Sequence, residues 1–220
     1  LGLSGGGNKT RKLEFLVADA LRQGADTLIT CGAVQSNHCR LTLAAAIKEG
    51  MNCRLVLEQR VPDSYDPNAS GNNFLFRLLG VEKITVVDGG VDLAAAMQSE
   101  ADQVAQEGRK AYIIPGGGSN PIGTLGYVTC AQEILAQAFK KGIQFDHLVC
   151  ASGSGGTHSG ILVGLRGMGS RIPVTGISVR RPVPEQEELI GGLVKATREF
   201  LGFSPEVHEE ELKIFDDYVG

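Results

Sequence analysis

Six short runs of β-branched and other apolar residues recur along the chain. Their starts are 26, 31, 27, 37 and 26 residues apart, which is close to the ~30 residues of a βαβ unit. The six predicted strands are residues 27–31, 53–57, 84–87, 111–114, 148–151 and 174–179. Near-continuous apolar strands of this kind are typical of a parallel sheet that is covered on both faces.

Amphipathic helical patterns lie between these strands. The three clearest patterns cover residues 13–21, 93–105 and 122–141. Asp92 is suited to cap the second helix. Each pattern is followed by a glycine, at position 24, 108 or 142, and glycine readily ends a helix. Strands that alternate with helices predict an α/β fold built from open parallel sheets in three layers.

Two irregular segments interrupt the alternation. Residues 115–121 contain two prolines, three glycines, a serine and an asparagine without any hydrophobic period, and we predict a hinge or domain boundary there. Residues 61–71 are rich in proline, aspartate and asparagine, and we predict an exposed loop.

Composition excludes several classes of partner. The chain of 220 residues carries a net charge of −4 and no tryptophan, and its basic residues are not clustered, so neither a nucleic-acid surface nor an aromatic stacking platform is expected. No apolar run approaches the ~20 residues that span a bilayer. The five cysteines form no CxxC pair, which favours reduced cysteines in a cytoplasmic protein. No group of His, Cys and carboxylate residues has metal-ligand spacing.

The strongest chemical signal is the glycine-rich sequence at 152–158, between a predicted strand and a helix that we expect to start at Ser159. Its members are Ser152, Gly153, Ser154, Gly155, Gly156, Thr157 and His158. Glycines let backbone N–H groups approach an anion, and the helix N-terminus adds a favourable dipole. We predict a phosphate cup, although a tight turn packed on its glycines is the alternative. The dinucleotide fingerprint is not met, because His158 stands at its third glycine position.

A second signal is Lys9, which follows three glycines and Asn8 at the start of the first helix. An ammonium group at a helix N-terminus opposes the helix dipole, which favours the neutral amine that imine chemistry requires. A solvated lysine is the alternative, since Arg11 and Lys12 continue a basic helix start. The sequence does not fit a nucleotide-binding P-loop, because it has one residue too many before Lys9 and no strand precedes it.

A third signal is the polar sequence Gln35-Ser36-Asn37-His38 after the first predicted strand. In open parallel sheets, ligands bind where loops leave the carboxyl ends of strands. The amide, hydroxyl and imidazole groups could therefore face a ligand. A simple helix cap at Ser36 or Asn37 explains the same residues without one.

Together these motifs resemble the D-cysteine desulfhydrase and 1-aminocyclopropane-1-carboxylate (ACC) deaminase family of pyridoxal-phosphate enzymes, of fold type II, similar to the tryptophan synthase β subunit. The resemblance is carried by residues 6–14 (Gly-Gly-Asn-Lys-Thr-Arg-Lys-Leu-Glu), 35–38, 117–120 (Gly-Gly-Ser-Asn) and 152–158. The motifs come in the family's order and cover essentially the whole chain. His38 and the sequence at 117–120 favour the desulfhydrase branch over the deaminases.

The resemblance implies a role for each site residue. Lys9 would hold pyridoxal 5′-phosphate as a Schiff base and abstract the substrate's α-proton. Asn37 would bind the phenolic oxygen of the cofactor, and Ser36 would lie by the substrate's carboxylate or α-carbon. Residues 153–157 would hold the phosphate, and Asn8, His38 and Ser152 are expected among the cofactor-binding residues.

The implied reaction is β-elimination from a small amino acid, with D-cysteine giving pyruvate, hydrogen sulfide and ammonia. ACC deaminase and L-cysteate sulfo-lyase activities remain alternatives. So do a non-catalytic carrier of the cofactor and a module that binds a phosphate ligand.

The resemblance also implies a homodimer whose subunit has two domains, with the cofactor in the cleft between them. Residues 12–120 would form the smaller domain, and residues 1–11 and 121–220 would form part of the larger one. The chain starts without Met and a few residues before its most distinctive motif. We therefore expect a chain truncated at both ends, without the family's C-terminal tyrosine and its pyridine-nitrogen partner.

Overall fold

The computed structural model describes residues 4–202, 207–208 and 211–219. The predicted larger domain also includes residues 1–3, 203–206, 209–210 and 220, which lie outside the described residues. The helices are α1 (Thr10–Arg22), α2 (Asn37–Lys48), α3 (Asn72–Leu78), α4 (Leu93–Gln106), α5 (Pro121–Lys141), α6 (Gly156–Gly167) and α7 (Val183–Leu201). The strands are β1 (Thr27–Ala33), β2 (Asn52–Gln59), β3 (Lys83–Asp88), β4 (Ala111–Ile114), β5 (Leu148–Ser152), β6 (Val174–Ser178) and β7 (Lys213–Phe215).

The strands form two parallel sheets, which confirms the predicted α/β class. One sheet has the order β3-β2-β1-β4 and the other has the order β5-β6-β7. Every described strand pair is parallel, and the register places Thr30 of β1 beside Leu55 of β2 and beside Ile114 of β4. All six predicted strands are present, although β6 ends one residue before the predicted 179.

The chain divides into two units, Leu1–Gly118 and Ser119–Gly220, and the division falls inside the irregular segment 115–121. In the first unit, neighbouring residues of β1 face opposite sides of the sheet, as strand geometry requires. Cys31 packs in a cluster with Met97 and Val104 of α4. Thr30 instead contacts His38 at the start of α2. Helices therefore cover both faces of this sheet, as predicted.

In the second unit, α6 packs tightly against α5 because two of its positions carry no side chain. A Cβ atom at Gly160 would lie 2.7 Å from the carbonyl oxygen of Thr124, and one at Gly164 would lie 2.7 Å from that of Val128. No real Cβ approaches a carbonyl so closely, so glycine is required at both positions. On the sheet, Leu148 and Cys150 face the core, whereas Val149 of β5 is 65% exposed.

Local sequence patterns missed some elements. The short helix α3, the helix α7 and the three-residue strand β7 were not predicted. The helix α6 begins at Gly156 rather than at the predicted Ser159, because the last residues of the glycine-rich sequence already form its first turn. Residues 61–71 contain no helix or strand, as predicted. All five cysteines are free thiols, and three of them are buried. Within the described ranges, no helix is long and apolar enough to cross a membrane.

Candidate active site

Lys9 is the N-cap residue of α1 and follows a backbone that only glycine allows. Gly7 has a φ of +149°, and a Cβ there would meet the Cδ1 atom of Leu41 at 2.7 Å. The hydroxyl of Thr10 donates to the carbonyl of Gly7 at 2.7 Å, which closes the turn. The Lys9 amine donates to the side-chain carbonyl of Asn8 at 3.2 Å. Burial lowers the pKa of the Lys9 amine, so a larger fraction of it is neutral than in a solvated lysine.

Lys12 lies one helical turn after Lys9 and is almost completely buried, with an exposed fraction of 1%. Its amine donates to the carbonyl of Gly117 at 3.0 Å. Burial, together with the charge of Lys9, lowers the pKa of Lys12 to about 7. Although Lys12 belongs to a run of basic residues, its side chain is therefore not a solvated one. No charge pattern could show that the 116–118 turn packs over its side chain.

Ser36 is the N-cap residue of α2, and its side chain leaves no room for a side chain at position 32. Its hydroxyl oxygen accepts from the backbone N–H of Cys39 at 3.2 Å. A Cβ at Gly32 would lie 2.7 Å from the Ser36 Cβ, so a side chain at position 32 would displace the cap. The simple capping role considered for Ser36 is present. A capping hydroxyl keeps its own proton, and it can still donate to a ligand.

Asn37 is exposed, and other side chains fix its amide. Its Oδ1 atom accepts from the Nδ2 atom of Asn72 at 3.0 Å and from Arg40 at 3.4 Å. Among the described residues, no acceptor is recorded for the Asn37 Nδ2 atom, so its N–H groups can serve a ligand. Asn72 also donates to the backbone carbonyl of Gln35 at 2.7 Å. This holds the polar loop against the start of α3.

Sequence reasoning missed Asn72 and Arg40, although both organise the site. Arg40 donates to the backbone carbonyls of Ser4 and Gly6 as well as to Asn37. One guanidinium therefore joins the glycine segment before Lys9 to the polar loop at 35–38. The pair Asn72-Asn73 after Ser70-Gly71 was the available signal, because such residues often start helices. Arg40 gave none.

His38 is buried behind the polar loop rather than exposed in it, with an exposed fraction of 6%. Its Nε2 atom lies 2.8 Å from the hydroxyl of Thr30, which in turn donates to the carbonyl of Ile114. Burial and the charges of Lys9 and Lys12 lower the pKa of His38 to about 3. The ring is therefore neutral at physiological pH, and it packs between α2 and β1.

The glycine turn, residues 152–157, joins β5 to α6 in the second unit. Gly155 has a φ of +87°, and a Cβ there would meet the Cδ1 atom of Ile190 at 3.2 Å. The hydroxyl oxygen of Ser119 accepts from the backbone N–H of Gly156 at 3.2 Å and lies 2.8 Å from the Ser154 hydroxyl. The Gly156 N–H of the turn therefore already donates to an oxygen atom, and the Ser154 hydroxyl accepts from the same Ser119 side chain.

The structure thus groups the predicted residues into two sets. Lys9, Asn8, Ser36, Asn37 and His38 belong to the first unit, where Arg40 joins the two loops that carry most of them. The six residues of the glycine turn belong to the second unit. In the part of the chain that is described, no group of His, Cys, Asp and Glu could hold a metal ion.

The fold and these motifs together indicate the family to which the chain belongs. Residues 2–220 match the model of the pyridoxal-phosphate dependent enzyme family. The chain belongs to this family.

Particular relatives narrow the comparison. The chain is 42% identical over 214 residues to a D-cysteine desulfhydrase of Yersinia enterocolitica, covering 97% of this chain and 64% of the relative. It is 41% identical over 212 residues to a putative ACC deaminase of Pyrococcus abyssi, covering 96% and 62%. A crystal structure of an ACC deaminase homologue superposes with a TM-score of 0.86 at 39% identity, covering 98% of this chain and 63% of the other. The chain thus spans somewhat less than two thirds of each relative's length.

The residues of this chain fit the family's cofactor. A phosphate needs N–H donors that it can approach without side chains in the way, and the glycine turn already offers one such donor, the Gly156 N–H, to the Ser119 oxygen. An aldehyde needs an amine that is partly neutral and accessible. Lys9 meets this requirement better than Lys12, whose nitrogen is buried and bound to Gly117.

Proposed function

We propose that the protein is a pyridoxal-phosphate enzyme that catalyses β-elimination from a small amino acid, with D-cysteine as the substrate. With one water consumed, the products are pyruvate, hydrogen sulfide and ammonia. The observation that carries the proposal is the Lys9 amine, whose pKa is lowered by burial and which lies on a segment tied through Arg40 to Asn37. The similarity to D-cysteine desulfhydrases over 97% of the chain supports this substrate.

Lys9 has two roles in this proposal. Its amine would hold the cofactor through the aldehyde carbon, and once a substrate amine has taken its place the freed Lys9 amine would accept the proton of the substrate's α-carbon. The bound cofactor supplies an electron sink for the carbanion. The lowered pKa suits both roles, since each requires the neutral amine.

The other residues bind and orient. The N–H groups of Asn37 would donate to the phenolic oxygen of the cofactor, while Asn72 and Arg40 hold the Oδ1 end of the Asn37 amide. The Ser36 hydroxyl donates to the carboxylate of the substrate from its position as helix cap. The N–H groups of the glycine turn would bind the phosphate. Asn8 orients the Lys9 amine. Ser152 anchors the start of the turn through Gln186, and the buried His38 ring anchors the polar loop through Thr30.

The assembly follows from the family resemblance. We propose a cytoplasmic homodimer, with residues 12–120 in a smaller domain and with residues 1–11 and 121–220 in part of a larger one. The five free cysteines are compatible with a reducing compartment.

The substrate is tested by measuring sulfide and pyruvate release from D-cysteine, L-cysteine and L-cysteate. We expect equal amounts of sulfide and pyruvate from D-cysteine, no release by Lys9→Ala, and a slow rate but normal cofactor content in Ser36→Ala. Cofactor binding without release of product from any of these substrates would indicate a carrier. Cofactor binding that survives Lys9→Ala at full strength would indicate a phosphate-ligand module.

ACC deamination is the second candidate. The Pyrococcus abyssi relative is a putative ACC deaminase, and the structural neighbour is an ACC deaminase homologue. Residue His38 favours the desulfhydrase, as the family resemblance indicates. Ammonia release from ACC at a rate above that from D-cysteine would reverse the order of the two proposals.

A further inference from the structure

The glycine turn is held from behind by two side chains at the start of α7. The carbonyl oxygen of Gly153 accepts from the Arg181 guanidinium at 2.9 Å and from the Gln186 amide at 3.1 Å. Gln186 is completely buried, and its amide nitrogen also donates to the hydroxyl of Ser152 at 2.9 Å. Both protons of the amide nitrogen are therefore used on two consecutive residues of the turn.

This arrangement fixes the direction of one peptide group. In a trans peptide, the carbonyl and the following N–H point in opposite directions, and the chain has no cis peptide bond among its described residues. Since the Gly153 carbonyl points to Arg181 and Gln186, the N–H of Ser154 points away from α7. Without these two donors, a glycine peptide could turn over and present its carbonyl where an anion must bind.

The two donors are themselves fixed. The Ser178 hydroxyl accepts from the backbone N–H of Arg181 at 3.1 Å and donates to its carbonyl at 2.7 Å, which closes the turn after β6. The Gln186 carbonyl lies 3.5 Å from the Arg181 guanidinium, so the amide cannot rotate without losing its partners. The Ser152 hydroxyl, which accepts from Gln186, also lies 3.4 Å from the Nδ1 atom of the buried His158 ring.

We propose that Gln186 and Arg181 are positioning residues that hold the peptide between Gly153 and Ser154 so that the turn presents N–H groups to the phosphate of the cofactor. The inference rests on the proposed function, because it concerns the same phosphate site. It assigns to α7 a part in cofactor binding that none of the sequence motifs contains. A guanidinium on the Gly153 carbonyl also polarises the peptide, which strengthens the Ser154 N–H as a donor.

The test compares the affinity for pyridoxal 5′-phosphate with that for pyridoxal, which lacks the phosphate, in Gln186→Met and Arg181→Met. Methionine keeps most of the volume and removes the donors. We expect the dissociation constant for pyridoxal 5′-phosphate to rise about tenfold in Gln186→Met, the effect of one lost hydrogen bond to a charged or buried group. The constant for pyridoxal should change less than about twofold.

A matched control removes a hydrogen bond elsewhere in the same unit. Thr175→Val deletes the contact of Thr175 with the His147 Nε2 atom at 2.7 Å, at the opposite end of β6. It should leave the ratio of the two affinities unchanged even if stability falls. As a second measure, inorganic phosphate should raise the melting temperature of the wild type and of Thr175→Val, but not of Gln186→Met.

The outcomes distinguish a failure of the positioning role from a failure of the proposed function. Equal weakening of both affinities in Gln186→Met, or no weakening of either, would overturn the positioning role. If the wild type prefers the phosphorylated form and Gln186→Met keeps that preference, the positioning role fails and the proposed function stands. If the wild type shows no preference for the phosphorylated form, the phosphate site of the proposed function fails, and the positioning role fails with it.

Discussion

The Lys12 amine donates to the carbonyl of Gly117 at 3.0 Å, and Lys12 follows Lys9 by one turn of α1. Two lysines that both have lowered pKa values therefore lie at the start of one helix. One is half-buried and able to meet a ligand, and the other is fixed inside the first unit. Their different environments decide which of them is available for chemistry.

The burial of Lys12 should make stability depend on pH in the alkaline range. A lowered folded-state pKa means that the unfolded chain binds more protons between about pH 7 and 10.5, so stability rises with pH there, by at most about 1.4 kcal/mol per unit. In urea unfolding of the cofactor-free protein, the free energy of unfolding of the wild type should rise relative to that of Lys12→Met between pH 7 and pH 10. The exposed Lys48 gives the control, since Lys48→Met should show no such trend. A flat difference for Lys12→Met would contradict the buried position.

Asn72→Ala should weaken cofactor binding indirectly, through the loss of its contacts with the polar loop. The substitution removes the donor that fixes the Asn37 amide and its link to the Gln35 carbonyl. We expect a rise of about five- to tenfold in the dissociation constant for pyridoxal 5′-phosphate, measured by absorbance titration. Asn68→Ala removes an exposed asparagine from the loop before α3 and should leave the affinity unchanged. Equal behaviour of the two variants would remove Asn72 from the site.

Gly155→Ala should damage the phosphate cup. A side chain at a φ of +87° is strained by about 1–2 kcal/mol, and the new Cβ would press on Ile190. We expect lower stability and at least about tenfold weaker binding of pyridoxal 5′-phosphate. Gly192 of α7 has open space around it, so Gly192→Ala should keep the affinity and raise stability slightly. Normal binding by Gly155→Ala would show that the turn is not the phosphate site.

Arg54→Met should destabilise the first unit and leave cofactor binding intact. Arg54 is 5% exposed and contacts Glu82, Glu100 and Glu107. It lies near the amino end of β2, whereas the polar loop follows the carboxyl end of β1. Loss of the guanidinium leaves the buried Glu100 with less compensation, and we expect a loss of about 3 kcal/mol in urea unfolding. The exposed Arg60, which contacts Glu58, is the control, with less than about 0.5 kcal/mol lost in Arg60→Met.

The same cluster predicts the response to acid. Hydrogen bonds from Arg109 and Arg54 lower the pKa of Glu82 below its usual 4.5, against the opposing effect of burial. A lowered carboxyl pKa gives stability that is present above pH 4.5 and is lost as the pH falls through the folded-state value. Arg54→Met should therefore lose less stability than the wild type between pH 5 and pH 3. A steeper acid response in the variant would contradict this arrangement.

Patterns along the sequence were sufficient for most of the fold. Each long apolar run became a parallel strand, and Asp92 caps α4 by accepting from the backbone N–H groups of Ala94 and Ala95. Elements too short to show a period, such as α3 and β7, could not be found in this way. The start of α6 was misplaced because the glycines that favour a turn also form the first helical turn.

Only the site residues that belong to a sequence motif were predicted. Lys9, Asn37 and the glycine turn belong to short motifs, and their roles remain predictions to be tested. Asn72 lies 35 residues from Asn37, and Gln186 lies 33 residues from Gly153. Contacts of this kind depend on the packing of whole helices, so no local pattern indicates them. The burial of Lys12 against Gly117, 105 residues away, was hidden for the same reason.

The most direct test of the central claim is borohydride reduction of the protein loaded with pyridoxal 5′-phosphate, followed by peptide mass spectrometry that resolves Lys9 from Lys12. We expect the phosphopyridoxyl group on Lys9 alone, in about one copy per chain, and none in Lys9→Ala. Attachment to Lys12, scattered labelling of surface lysines, or no attachment at all would contradict the account.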